Sequence, residues 1–148
     1  FFLFSFLVAK SSNIGMAKVA LALEGQDIWD MLYSLGLGQS TGIGYPGEAV
    51  GRLPNQVEWR PVEQASMAYG YGIAVTPLQL AQAYSTLANG GHKVNARILM
   101  DAPIETGPQV ISGEISSQVL AMMETVVQPG GTGTSATLDW FSVAGKTG

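Results

Sequence analysis

At 148 residues, 47% hydrophobic and 12% charged, the chain is long and apolar enough to bury the core of an ordinary domain, which excludes a disordered tail. Its net charge of -4 comes without any Lys/Arg cluster, so the basic footprint that nucleic-acid binding requires is missing. The absence of cysteine excludes a disulfide framework and a thiolate metal site, and leaves the compartment open.

The opening apolar run, residues 1–9, falls well short of the roughly 18 residues that span a bilayer. Its nearest cation, Lys10, follows it, the reverse of a signal peptide's order, so a buried segment is expected there. Residues 14–23 carry only the charge of Lys18 and predict a buried helix, with Asn13 at the N-cap position. A second helix is expected over 26–35, with Ile28, Met31, Leu32 and Leu35 on one face and Gly36 to Gly38 as its stop, the two helices forming a hairpin. Residues 42–54 are dense in Gly and Pro without a period and read as a long shaped loop.

Pro61 suits the first turn of a short helix through Ala68. Thr76-Pro77 is a helix start with the hydroxyl as cap; Leu80, Tyr84 and Leu87 line one face, and Gly90-Gly91 supplies the end. Residues 93–100 alternate loosely as a strand, and Pro103 and Pro108 predict irregular chain beyond it. Ser112 caps a further helix whose apolar stripe is Ile115, Val119, Met122 and Val126, so its methionines are core. After the break at Gly130-Gly131-Thr132-Gly133, residues 140–146 read as a strand. A strand that stops at Lys-Thr-Gly is the expected mark of a cut sequence, and there is no internal repeat.

Three motifs fail on context. Gly42 to Gly47 fits G-x-G-x-x-G by letters, yet Pro46 and the turn-rich chain through Pro54 forbid the helix on which a dinucleotide's pyrophosphate would sit. Gly145-Lys146-Thr147 resembles the end of a P-loop, but Trp140 stands where the first glycine belongs. His92, the sole histidine, lies in a Gly-rich turn unsuited to a Ser-His-Asp triad, and one His without Cys or paired carboxylates gives no metal site.

What remains is Ser11-Ser12-Asn13 with Lys146-Thr147-Gly148. A serine nucleophile that works without histidine needs lysine ammonium groups and hydroxyls to move protons, and an amide to hold a substrate backbone. The pair resembles two of the three motifs, S-x-x-K, S-x-N and K-T-G, of penicillin-binding proteins and β-lactamases. Between them lie Gly36-Leu37-Gly38, Thr41-Gly42-Ile43-Gly44-Tyr45-Pro46-Gly47-Glu48, Tyr69-Gly70-Tyr71-Gly72, Val75-Thr76-Pro77-Leu78-Gln79-Leu80-Ala81, Ala88-Asn89-Gly90-Gly91 and Gly130-Gly131-Thr132-Gly133-Thr134. In order and spacing these resemble class B penicillin-binding proteins over residues 8–148, and Tyr69 to Gly72 with Arg52-Leu53-Pro54-Asn55 and Trp59 resembles the septal, cell-division branch.

The resemblance implies an α+β fold, part of the penicillin-binding transpeptidase, or serine β-lactamase-like, architecture. It should be mostly helical, with one or two strands of the family's five-stranded antiparallel sheet. Residues 1–7 are expected to be an atypical apolar start, a candidate for non-native sequence, and 8–148 a partial domain from the second to the third active-site motif. The implied activity is D,D-transpeptidation: a serine is acylated by a D-Ala-D-Ala stem peptide with release of D-Ala, and the acyl group passes to an amine of a neighbouring stem peptide; a β-lactam acylates the same serine by opening its ring. Ser11 would relay protons, Asn13 would hold the acyl-side peptide, Lys146 would supply positive charge, Thr147 would bind the terminal carboxylate, and Gly148 would admit the substrate. No serine is followed three residues later by lysine, so the nucleophile motif is missing and the fragment alone is expected to be inactive. No cofactor or metal is implied. The expected partners are peptidoglycan stem peptides, a septal glycosyltransferase and other divisome proteins, with an inner-membrane anchor outside these residues and a periplasmic catalytic domain. The alternatives are a non-catalytic recognition module, motivated by the missing motif, and a serine β-lactamase relative.

Overall fold

The computed structural model describes residues 2–103 and 105–148. Six helices and one short two-stranded sheet follow in the order α1 (Phe2–Ala9), α2 (Asn13–Leu21), α3 (Gly25–Ser34), α4 (Pro61–Met67), α5 (Pro77–Ala88), β1 (His92–Val94), β2 (Thr106–Gln109) and α6 (Gly113–Glu124). The mostly helical α+β character expected from the sequence is what the chain adopts.

Helix starts follow side-chain chemistry. Thr76 Oγ1 accepts the Gln79 N–H at 3.1 Å, while Gln79 Oε1 accepts the Thr76 N–H at 2.9 Å, a reciprocal capping box with Pro77 in the first turn. Ser112 Oγ caps α6 through the Ile115 N–H at 3.3 Å. At α2 the cap is Ser12, whose Oγ accepts the Gly15 N–H at 3.1 Å; Asn13, expected there, is the first helical residue. Two adjacent residues competed for the cap, and the extended backbone of Ser12 decided it.

Contacts rearrange the expected hairpin. α2 packs chiefly on α4, where Gln64 Nε2 donates to the carbonyls of Ala20 and Leu23 at 2.8 Å each, satisfying groups the end of α2 leaves open. α3 instead meets the 3₁₀ turn Gln56–Glu58. The loop between Gly42 and Pro54 carries no helix, and its one ladder contact is the Arg52–Ala74 bridge. It is shaped by Glu48, whose carboxylate accepts from Ser40 Oγ at 2.6 Å and from the Thr41 N–H at 2.8 Å. These bonds hold its pKa below the usual carboxylate value.

The core is narrow: Ala20, Leu37, Met67, Ala83, Ile111, Met123, Val126 and Val127 are buried. On α5 the buried face is Gln79, Ala83 and Thr86, not the Leu80–Tyr84–Leu87 face expected from hydropathy; Leu80 and Tyr84 are exposed. Polar residues can take the inner face because each is satisfied. Gln79, 1% exposed, donates to the carbonyls of Gln39 and Val50 at 2.5 and 2.8 Å, and Thr86 Oγ1 donates to the Gln82 carbonyl. On α6, Ser116 and Met123 are buried and Ile115 is exposed, a rotation of the expected stripe that lets Ser116 donate to the Leu87 carbonyl of α5.

Three expected segments differ. The opening run is helical but not buried: Phe2, Leu3, Phe4 and Phe6 are exposed because α6 covers only one side of α1, and Phe1 lies outside the described residues. The strand foreseen over 93–100 shrinks to His92–Val94, which brings His92 from its expected turn into β1. Its partner β2 contains Pro108, in chain expected to be irregular; the pairing runs His92↔Gln109 and Val94↔Thr106 with an irregularity between, which accommodates a residue without an N–H. Residues 140–146, expected as a strand, form none, since no neighbouring described strand offers them a ladder.

Gly91 fixes the turn from α5 into β1. With φ +85, a Cβ there would lie 1.8 Å from the Ile111 carbonyl oxygen, so only glycine fits.

Candidate active site

The chain leaves α1 through a reversed backbone at Ser11, the only non-glycine described residue with positive φ, at 51°. The Ser11 N–H donates to the Val8 carbonyl at 3.1 Å and the Ser12 N–H to the Leu7 carbonyl at 3.0 Å. This is the Schellman pattern that ends a helix with one left-handed residue, a position glycine usually takes. Ser12 then caps α2 at once. Two helix termini joined with no spare residue therefore fix the direction of Ser11 Oγ.

A second wall comes from the glycine-rich turn after α6. The Gly131 N–H bonds the Gln128 carbonyl at 2.8 Å and the Gly133 N–H bonds the Val126 carbonyl at 2.9 Å. A Cβ on Gly131 would lie 2.1 Å from the Val126 oxygen, which requires glycine. The turn is strapped to the end of α1, for the Thr132 N–H donates to the Ala9 carbonyl at 3.2 Å and Lys10 Nζ to the Gly130 carbonyl at 2.7 Å.

The third wall is the C-terminal segment, tied to α6 by a Gly145 N–H bond to the Met123 carbonyl at 3.3 Å. It brings Lys146 Nζ within 2.6 Å of Ser11 Oγ, across 135 residues of sequence. The same ammonium donates to the Thr147 carbonyl at 2.8 Å, and the hydroxyls of Thr147 and Thr132 lie 2.7 Å apart. Partial burial lowers the Lys146 pKa below the ordinary lysine value, since desolvation disfavours the charged form. The one ion pair among the described residues is Arg60–Glu63, so no carboxylate neutralises Lys146. An ammonium that meets a serine hydroxyl, uncompensated by a carboxylate, can receive an anion and pass protons between oxygens.

Of the residues singled out from the sequence, Ser11 and Lys146 touch directly, and Thr147 joins them through its carbonyl, which accepts from the Lys146 ammonium. Asn13 is exposed on the first turn of α2 and its side chain hydrogen-bonds no described residue. Gly148 is exposed, with open space where a Cβ would stand. Sequence reasoning gave no site role to Thr132 or Lys10. The available signal was a threonine flanked by two glycines, a hydroxyl on a turn free to approach other chain closely.

The chain belongs to the penicillin-binding protein transpeptidase domains, in their class B form: the family described as "Penicillin binding protein transpeptidase domain" matches residues 5–148. Among its relatives, the peptidoglycan D,D-transpeptidase FtsI of Escherichia coli K12 is 38% identical over 142 residues, which are 96% of this chain and 24% of that protein. The probable peptidoglycan D,D-transpeptidase PenA of Neisseria meningitidis serogroup A is 37% identical with the same coverage. A solved transpeptidase domain of penicillin-binding protein 3 from Burkholderia pseudomallei superposes with a TM-score of 0.89 at 40% identity, covering 96% of this chain and 44% of that one. A structure described as a peptidoglycan glycosyltransferase from Burkholderia ambifaria gives the same TM-score at 39% identity, over 97% and 46%. The chain thus spans about a quarter of the length of the curated relatives it matches.

Proposed function

We propose that this chain supplies two of the three motifs of a serine acyl-transfer site in a peptidoglycan D,D-transpeptidase that cross-links stem peptides at D-Ala-D-Ala and is acylated by β-lactams. The observation that carries this reading is the 2.6 Å contact between Lys146 Nζ and Ser11 Oγ, which unites the second and third motifs. Ser11 and Lys146 pass protons between the nucleophile and the leaving amine. Thr147 receives the substrate's terminal carboxylate, and the uncompensated ammonium beside it makes that pocket attractive to an anion. Asn13, whose side-chain amide has no partner among the described residues, is available to the acyl-side peptide, and Gly148 leaves room for the substrate to lie along the chain.

None of the 148 residues forms a Ser-x-x-Lys motif, so the nucleophile belongs to sequence outside them. The septal branch, a periplasmic catalytic domain on an inner-membrane anchor, and partnership with a septal glycosyltransferase and the divisome complete the proposal. They are supported by the likeness to FtsI and by the Tyr69 to Gly72 segment. No helix among the described residues is long and apolar enough to cross a membrane.

Fluorescent penicillin separates the readings. The full-length protein is expected to give a covalent band that persists for many minutes, and the 148-residue chain none. A band on the short chain would mean that the nucleophile lies within it. A full-length reading frame without Ser-x-x-Lys would favour the non-catalytic recognition module, which the missing motif motivates. Rapid release of hydrolysed penicillin would favour a β-lactamase.

A further inference from the structure

We infer that Thr132 is a positioning residue for the Thr147 hydroxyl, and that binding of a carboxylate reverses the hydrogen-bond chain running through the two threonines. The inference rests on the reading of Thr147 as the receiver of the substrate carboxylate, and concerns a residue to which that reading assigns nothing.

Thr132 Oγ1 lies 2.7 Å from Thr147 Oγ1 and 3.3 Å from the Ala9 carbonyl oxygen. Each hydroxyl has one proton to donate and lone pairs to accept. The Ala9 oxygen can only accept. Without an anion, one order satisfies both contacts: Thr147 O–H donates to Thr132 Oγ1, and Thr132 O–H donates to Ala9.

A carboxylate also only accepts, so to bind it Thr147 must withdraw its proton from Thr132. The 2.7 Å contact then survives only if Thr132 turns its own proton toward Thr147 Oγ1. The chain now runs from Thr132 through Thr147 to the carboxylate. No heavy-atom bond forms or breaks; two hydroxyl protons rotate. Ala9 is not orphaned by the reversal, because its oxygen keeps the Thr132 backbone N–H at 3.2 Å. A hydroxyl that accepts a bond while donating one is polarised into a stronger donor, so the reversed chain strengthens the grip of Thr147 on the anion.

The surroundings hold both side chains for this task. Thr132 sits between two glycines in a turn strapped by Lys10 to α1, and a Cβ at Gly133 would lie 3.5 Å from the Thr147 methyl carbon, which marks how closely that methyl packs on the turn. The Thr147 side chain therefore meets this turn both through its hydroxyl, at Thr132, and through its methyl, near Gly133.

The test uses the full-length protein with Thr132→Val, which keeps the backbone N–H and the branched shape but removes the hydroxyl, and Thr132→Ser, which keeps the hydroxyl. Acylation by benzylpenicillin and by its methyl ester is followed as a concentration series, separating binding from the maximal rate. Thr132→Val is expected to weaken half-saturation by the free acid about fivefold, the size of one hydrogen bond between neutral groups, while leaving the ester unchanged. Thr132→Ser should restore the free acid, and Thr132→Val should add nothing further in a Thr147→Val background. Equal slowing of acid and ester by Thr132→Val, or no effect on either, overturns the inference alone. If the unsubstituted protein forms no acyl-enzyme with either compound, the transpeptidase reading falls and the inference with it.

Discussion

Replacing Lys146 with alanine in the full-length protein is expected to lower the second-order rate of acylation by penicillin about a hundredfold or more, the usual contribution of a positioned proton-transfer group. The ammonium stands 2.6 Å from Ser11 Oγ and is paired with no carboxylate, so under the proposed function its removal would strip the site of its proton path and of the positive charge that faces an incoming anion. Lys146→Arg separates the two contributions. Arginine keeps the charge but does not release a proton near neutral pH, so it should recover anion binding and little of the rate. Stopped-flow quenching of protein fluorescence by a β-lactam measures both. A Lys146→Ala protein that acylates at nearly the native rate would show that the ammonium only ties the C-terminal segment to α1.

Replacing Gln79 with leucine should destabilise the fold by about 3 kcal/mol, because three hydrogen bonds end on one side chain that water cannot reach. Its amide holds the carbonyls of Gln39 and Val50, its oxygen holds the Thr76 N–H, and the residue is 1% exposed. Leucine is similar in volume and satisfies none of these groups, leaving the Gln39 and Val50 carbonyls and the Thr76 N–H without the side chain that pairs them. Urea unfolding of the full-length protein should show a lower midpoint with an unchanged slope, and the molecules that remain folded should acylate normally. A loss below about 1 kcal/mol would mean that water enters the 39–50 loop and replaces the amide.

These two residues mark what could and could not be read in the sequence. Helix starts were legible wherever a single polar residue preceded a helical pattern, as at Thr76 and Ser112, because capping is local chemistry. Which face a helix buries was not. Hydropathy shows the face that gains from burial, and on α5 it pointed to Leu80 and Tyr84, but a glutamine with all its partners in place took the inner position. The expected strand at 140–146 failed for a related reason, since a ladder belongs to two segments and a sequence pattern describes one.

The site divides the same way. Ser11 and Lys146 came from recognising paired motifs, and nothing in spacing alone brings residues 135 apart into contact. Thr132 escaped notice because its role depends on the turn that glycines 131 and 133 allow, which exists only once α6 and α1 have packed.

The left-handed backbone at Ser11 has a consequence for engineering. Glycine would relax that conformation by roughly 1 kcal/mol, so selection for heat resistance alone would drift toward it, and each such gain would delete the hydroxyl that Lys146 meets. With Ser11 acting as proposed, thermal screening of this protein will reward variants disabled at that residue, and position 11 has to be held fixed in any library sorted by melting temperature.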